Sequence, residues 1–252
     1  MKLQRSLCKC ALFGVCLFFL LTGSQVNAQS TIFDKPSATT QDPRSVYLEA
    51  DFITHFASYK DGGYQTYGPR VVVGLPGHTE VGVNVFYTRA APGQPVTLQP
   101  NFKWNFYNNK NLGLALAAGF LIDVPITERT DNKTTGIIYV VGSKDFKRFK
   151  GPTFTFGGYA LAGPFEEGTD KRGFILGYDQ PITDKLSFLA DWASGNNDFG
   201  YGTAAASIDL TERQNISAGY SFGNHGRGNN FLGVYYGYTF GKLPKSDEDP
   251  DD

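Results

Sequence analysis

The chain has 252 residues, with 23 Lys plus Arg against 24 Asp plus Glu, 15% aromatic residues, 30 Gly, three Cys and one Met. A balance so near neutrality leaves no strong basic surface for nucleic acid, and beyond the first thirty residues no run of about 20 apolar residues exists from which to build a membrane-spanning helix. Because Cys8, Cys10 and Cys16 all lie in the first 28 residues, the remainder has no thiol chemistry and no cysteine metal site.

Residues 1–28 read as a signal peptide. Lys2, Arg5 and Lys9 form a positive start, Cys10 to Leu21 is apolar, and Val26-Asn27-Ala28 supplies a cleavage sequence. Cleavage after Ala28 makes Gln29 the first mature residue and leaves about 224 residues, enough for one large β-domain. Removing those three basic residues from 23 leaves 20 against 24 acidic ones, a net charge of −4. Phe13-Gly14-Val15 before Cys16 is a poor lipobox, which argues against lipidation. The absence of cysteine beyond this point suits a barrel closed by its own backbone hydrogen bonds better than a small disulfide-stapled exported domain.

Residues 29–46 are polar, carry Pro36 and Pro43, and are expected to form a flexible periplasmic leader. From residue 47 onward, period-two segments bounded by turn residues recur. They fall at 47–58, 64–74, 80–89, 96–106, 112–122, 135–143, 152–162, 172–180, 185–194, 200–210, 214–223 and 230–240. These twelve strands are close to the roughly 9–11 residues of a tilted membrane crossing. In the fourth, Val96, Leu98, Pro100, Phe102, Trp104 and Phe106 share one face, and Thr97, Gln99, Asn101, Lys103 and Asn105 the other. The sixth lacks clean alternation between Gly136 and Val141. A soluble sandwich also alternates, so the weight falls on repetition and on the aromatics. With both termini periplasmic, Trp104, Phe106, Tyr178, Tyr238 and Phe240 fall near one rim, and Tyr87, Trp192 and Tyr201 near the other, as membrane-interface girdles require. Turns at 75–78, 107–111, 180–185 and 210–213 are then periplasmic, and the outer loops are short.

The last strand has Leu232, Val234, Tyr236, Tyr238 and Phe240 on one face and Phe231, Gly233, Tyr235, Gly237 and Thr239 on the other. After it, residues 241–252, rich in Asp247, Glu248, Asp249, Asp251 and Asp252, are expected to be a disordered, solvated acidic tail. The fold class is thus all-β: an antiparallel, up-and-down transmembrane barrel of about twelve strands, spanning 47–240.

The ending Val234-Tyr235-Tyr236-Gly237-Tyr238-Thr239-Phe240 resembles the terminal strand by which outer-membrane barrels are recognised for insertion, although residues 241–252 follow it here. Size and strand count resemble the small twelve-stranded substrate-selective porins, such as those for acidic oligosaccharides. That resemblance implies a place in the outer membrane of a Gram-negative-type envelope. Its partners would be outer-membrane lipid, the barrel-assembly machinery through Val234–Phe240, and small hydrophilic solutes diffusing passively without a cofactor.

Alternation points Glu49, Asp51, His55, Arg70, Lys103, Asp123, Asp179, Asp191 and Asp209 into the lumen as pore-lining residues. Arg70 and Lys103 on early strands are expected to face Asp179, Asp191 and Asp209 across the bore, setting up a transverse field that selects solutes. The competing expectation is that these charges pair with one another as a structural network. Phe86, Tyr159, Phe231 and Tyr235 are expected to offer inward ring faces or to block the bore, and Gly113, Gly157, Gly177, Gly219, Gly233 and Gly237 to thin the wall.

Catalysis finds little footing. None of His55, His78 and His225 has a serine two residues on, the arrangement a strand-borne hydrolase needs to pair imidazole with hydroxyl. Asp191, Asp198 and Asp209 do not form the acid–histidine set of an outer-membrane protease, and the histidines are too scattered for a metal site. The expectation is therefore a porin rather than an enzyme. The alternatives are a non-conducting structural or envelope-interaction barrel, plugged by side chains or by the 29–46 leader, and then a lipid-modifying enzyme built on His55.

Overall fold

The structure is a computed structural model describing residues 30–90, 93–128, 133–146, 151–225 and 230–241. The expected signal peptide and all of the acidic tail after Gly241 lie outside these residues. Among those described, twelve strands form one closed antiparallel barrel in which each strand pairs with its sequence neighbours. They are β1 (Val46–His55), β2 (Tyr64–Leu75), β3 (Thr79–Arg89), β4 (Val96–Asn109), β5 (Leu114–Pro125) and β6 (Thr135–Asp145), followed by β7 (Thr153–Ala162), β8 (Arg172–Pro181), β9 (Leu186–Ala193), β10 (Tyr201–Thr211), β11 (Gln214–Gly223) and β12 (Phe231–Phe240).

Closure is made by β1 against β12, in register from Val46 opposite Phe240 to Thr54 opposite Leu232. In hydrocarbon an unpaired backbone amide costs several kcal/mol, so a ring without edges is the one way for strands to cross. The sixth strand, despite its irregular pattern, pairs continuously with β5 and β7.

Strand ends differ from expectation where turn chemistry intervenes. β1 stops at His55, and a 3₁₀ turn at Tyr59–Asp61 lies in the connection to β2. β4 runs on to Asn109 through a register shift between Asn105 and Tyr107. Gly113, expected within the wall, instead sits in the turn before β5 with φ +57, a conformation that glycine adopts without strain.

The outward face is apolar. Ile138, Val140, Phe156, Phe174, Leu176 and Phe222 are all about half or more exposed, an arrangement that only lipid makes favourable. Toward the end that carries both termini, Trp104 packs on Phe106, Tyr238 on Phe240, and Tyr178 on Phe154. At the opposite rim Tyr67 stacks on Tyr87, and the Trp192 indole N–H donates to Asn224 at 3.0 Å. Connections at the terminal end, such as 76–78 and 212–213, are shorter than 126–134 and 163–171 at the other. Short turns mark the periplasmic side of such barrels. Tyr201 departs from its expected place in the outer girdle: it faces the lumen, edge-on to Phe231.

Candidate functional site

The lumen is occupied by the segment that precedes β1. Residues 30–45, expected as a flexible leader, lie inside the barrel: Ser30 starts level with Thr39, and the chain turns at 32–35 and returns toward β1. Ile32, Phe33, Lys35 and Ala38 are buried, with Lys35 and Ala38 at 0% exposure. A narrow hairpin forms locally: Thr31 bridges Pro36, and the Ile32 N–H donates to the Lys35 carbonyl at 2.8 Å.

Asp191 on β9 holds the hairpin tip. Its Oδ2 accepts the backbone N–H groups of Phe33, Asp34 and Lys35 at 3.0, 2.8 and 3.1 Å. Successive amides converging on one carboxylate make a compact anion-binding nest. The Asp34 carboxylate in turn accepts from the Tyr235 hydroxyl at 2.6 Å and from Thr203 and Ser221 at 3.3 Å each. Phe33 stacks on Tyr235 with centroids 4.5 Å apart. The Lys35 ammonium lies 3.0 Å from the Tyr201 ring centroid and 4.1 Å from that of Phe199.

Lower in the barrel, Lys103 clamps both arms of the segment. Its ammonium donates to the Thr39 carbonyl at 2.9 Å and to the Ser30 carbonyl, and pairs with Glu80 at 3.2 Å. Glu80 also accepts the Gln41 N–H at 2.7 Å, Asn105 donates to the Ala38 carbonyl at 2.8 Å, and Ser143 accepts the Ala38 N–H at 3.0 Å. The glycines of the wall serve this packing. A Cβ on Gly177 would collide with Ile32, and one on Gly233 would come within 3.2 Å of Phe33, so the thin wall makes room for the segment.

Burial and charge act on the tip together. Burial, reinforced by the negative charge of Asp191, pushes the Asp34 carboxyl up to about 6; Lys35, Tyr235 and Ser221 oppose that shift. Burial pushes the Lys35 ammonium down to about 7, against the attraction of Asp191 and Asp34.

Beside the segment lies a cavity of about 280 Å³ that extends from Glu80 and Lys103 to Phe165, Asp198 and Phe199 in the outer loops. Four of the expected pore-lining residues meet there: Asp51, Arg70, Lys103 and Asp123. The rest do not. Glu49 is buried behind Arg70, and Asp191 is engaged by the segment. His55, at the outer end of β1, stacks on Tyr64 and turns Nδ1 to the Asn230 carbonyl. Asp179 and Asp209 lie toward the periplasmic ends of β8 and β10.

Arg70 and Lys103 meet their acidic partners on adjoining strands, as the competing expectation of a paired network has it. Arg70 pairs with Glu49 at 2.9 Å and Asp51 at 3.9 Å on the adjoining strand, as Lys103 does with Glu80. Charges facing each other across a ladder are far closer than those across a bore, and in low dielectric the short pairing wins. Sequence reading missed Glu80, which stands directly opposite Lys103 in the β3–β4 register, as it missed the chain Asn84 to Gln99 (2.7 Å) to Asp123 (2.8 Å). Of the four inward rings, Phe86, Phe231 and Tyr235 line the cavity, while Tyr159 donates its hydroxyl to the Ser194 carbonyl and packs edge-on against Phe199. Among the described residues no three His, Cys, Asp or Glu side chains converge as a metal-ligand set.

A lipid-facing girdle, a closed twelve-strand ring and a charged interior define a membrane-spanning β-barrel. Among solved structures, the chain is similar to the KdgM porin in complex with disordered oligogalacturonate (TM-score 0.54, 6% identity, 79% of this chain and 99% of that one). It is similar also to an outer membrane channel from Pseudomonas putida F1 (TM-score 0.55, 11% identity, 80% of this chain and 97% of that one). At such identities the likeness is one of fold. No protein-family model matches the chain, and no curated protein matches it.

Proposed function

We propose that the protein is an outer-membrane channel for passive diffusion of small hydrophilic solutes, gated by its own segment 30–45. The observation that carries this reading is the cavity beside the segment, in which Asp51, Arg70, Asn84, Gln99, Lys103 and Asp123 stand among apolar groups such as Phe86 and Leu121, and which reaches the outer loops. A purely structural barrel gains nothing from a charged hollow, since well-packed apolar side chains fill a lumen at lower cost. Up to Gln41 the segment is held by side-chain hydrogen bonds and ring contacts, and only Arg44 and Ser45 pair with the sheet, at Gly74 of β2. Its release therefore leaves the barrel ladder intact.

The resemblance to known channels at the level of fold supports the same reading. Within it, β12 with Val234–Phe240 is the element offered to the assembly machinery, and no hydrolytic role is assigned. His55, on which such a role would rest, is committed to the Asn230 carbonyl and Tyr64.

The density of bonds between segment and wall favours one second reading, a permanently stoppered barrel. Single-channel recording in a planar bilayer separates the two, comparing the intact protein with a variant lacking residues 30–40. A gated channel gives brief openings in the intact protein and steady, several-fold larger conductance in the deletion. Openings confined to the deletion establish the stopper, and silence from both folded, inserted proteins refutes the channel.

A further inference from the structure

The cavity has the chemistry of a cation site. Its wall carries five carboxylates, from Asp34, Asp51, Glu80, Asp123 and Asp198, against two basic groups, Arg70 and Lys103. Both basic groups are already matched, Arg70 by Glu49 and Asp51 and Lys103 by Glu80. Arg70 Nε keeps an unpartnered N–H, but the surplus of negative charge in a confined space works against an anion.

Two hydrogen-bond acceptors are left over. Asp51 and Asn84 are 5% and 2% exposed, and Asp51 Oδ1 and Asn84 Oδ1 have no hydrogen-bond partner. The Asn84 amide nitrogen donates to Gln99, which leaves its oxygen as the unused atom. Both residues line the cavity, as do Arg70 and Thr31, whose Nε and hydroxyl are also without a partner. An ammonium group brings three donors and no acceptor.

A cation already rests against two rings of the cavity wall. The Lys35 Nζ, fully buried, has no hydrogen-bond partner and rests on the ring faces of Tyr201 and Phe199, both of which line the cavity. Cation–π attraction of this sort is strongest where water is excluded. The tethered ammonium thus marks rings capable of holding a free one.

We propose that the outer cavity binds a small primary alkylammonium solute through Asp51, Asn84 and the carboxylate surplus, and that this solute competes with Lys35 for the faces of Tyr201 and Phe199. Competition ties occupancy to the gate, because a solute on those rings withdraws one of the contacts that hold the hairpin tip. This inference builds on the channel reading but is tested without conduction.

Isothermal titration of the full-length protein in detergent would use n-butylammonium chloride, with n-butanol and sodium butyrate as probes of equal chain length and different charge. The expected result is saturable binding of n-butylammonium at least tenfold tighter than that of either control. Asp51→Asn and, separately, Asn84→Leu should each weaken it about tenfold, and Lys35→Met should strengthen it several-fold by removing the tethered competitor. Asn84 lies outside the buried ion pairs, so the second variant stands if Asp51→Asn fails to fold. Equal binding of the three probes, or unchanged affinity in Asn84→Leu, overturns the site. Unchanged affinity in Lys35→Met overturns the competition. Binding by a protein that never conducts, even without residues 30–40, sinks the channel and leaves the site; conduction without binding does the reverse.

Discussion

Asp191→Asn is the sharpest perturbation of the gate, because one oxygen accepts three backbone N–H groups from the hairpin tip. Hydrogen bonds to a charged acceptor contribute about 1 kcal/mol more than neutral ones, so three of them lose roughly 3 kcal/mol when the charge is removed. The charge also costs something to bury: Asp191 is 4% exposed when the segment is docked, and hydration on release offsets part of that gain. A net loss of about 2 kcal/mol shifts the docked-to-released ratio close to thirtyfold. The asparagine side chain keeps the shape, which confines the change to charge. Ala38 is fully buried between Asn105 and Ser143, and so reports on docking. In an Ala38→Cys background the rate of labelling by a small water-soluble maleimide measures the released fraction. Asp191→Asn should raise that rate ten- to thirtyfold while heat-modifiable migration on a gel shows the barrel intact. An unchanged rate would mean that the triple contact does not hold the segment.

The tip also makes docking depend on pH. Docked, Asp34 titrates at about 6 instead of 3.8, and Lys35 at about 7 instead of 10.5, with Asp191 in electrostatic reach of both and Asp51 of Asp34. The docked state therefore holds an extra proton between 3.8 and 6 and lacks one between 7 and 10.5, so docking strengthens as pH falls below about 6 and as it rises above about 7. Open probability in bilayer recordings should peak between those values, and a monotonic profile contradicts the assignment. Arg70→Met leaves Glu49 and Asp51 buried without their cation, at a cost of about 3–5 kcal/mol; the temperature of heat-modified migration should fall, and constancy would show the pair to be dispensable. Gly177→Val places a branched side chain where Ile32 sits. Labelling of Ala38→Cys should then increase with the barrel still folded, whereas equal labelling would mean that Ile32 simply yields.

How far the sequence disclosed all this depends on which surface a residue faces. Lipid tolerates only apolar side chains, so the outward half of each strand is strongly constrained, and the twelve strands were legible almost to their ends. The inward half is not constrained in that way. A polar residue such as Asp191 reads the same whether it meets water or the backbone of another segment, so alternation marks its direction and is silent about its partner. Register would have gone further. Glu49 opposite Arg70 and Glu80 opposite Lys103 follow from counting along adjacent strands.

The occupant of the lumen is harder to see because residues 30–45 have no period to detect. What they offer is an apolar pair, Ile32-Phe33, set in a polar stretch before Asp34-Lys35-Pro36, and this becomes meaningful only against the far side of the barrel. Inward glycines at 177 and 233 supply the matching hollows, and Tyr235 supplies the ring on which Phe33 stacks. These partners are separated from the segment by well over a hundred residues, so nothing local in the sequence couples them. Rings, glycines and the carboxylate of Asp191 each suggested a feature of an open pore when taken singly. Brought together by barrel closure, they form instead a receptor for the chain's own residues 30–45, and the space of the lumen that this segment does not fill is the cavity beside it.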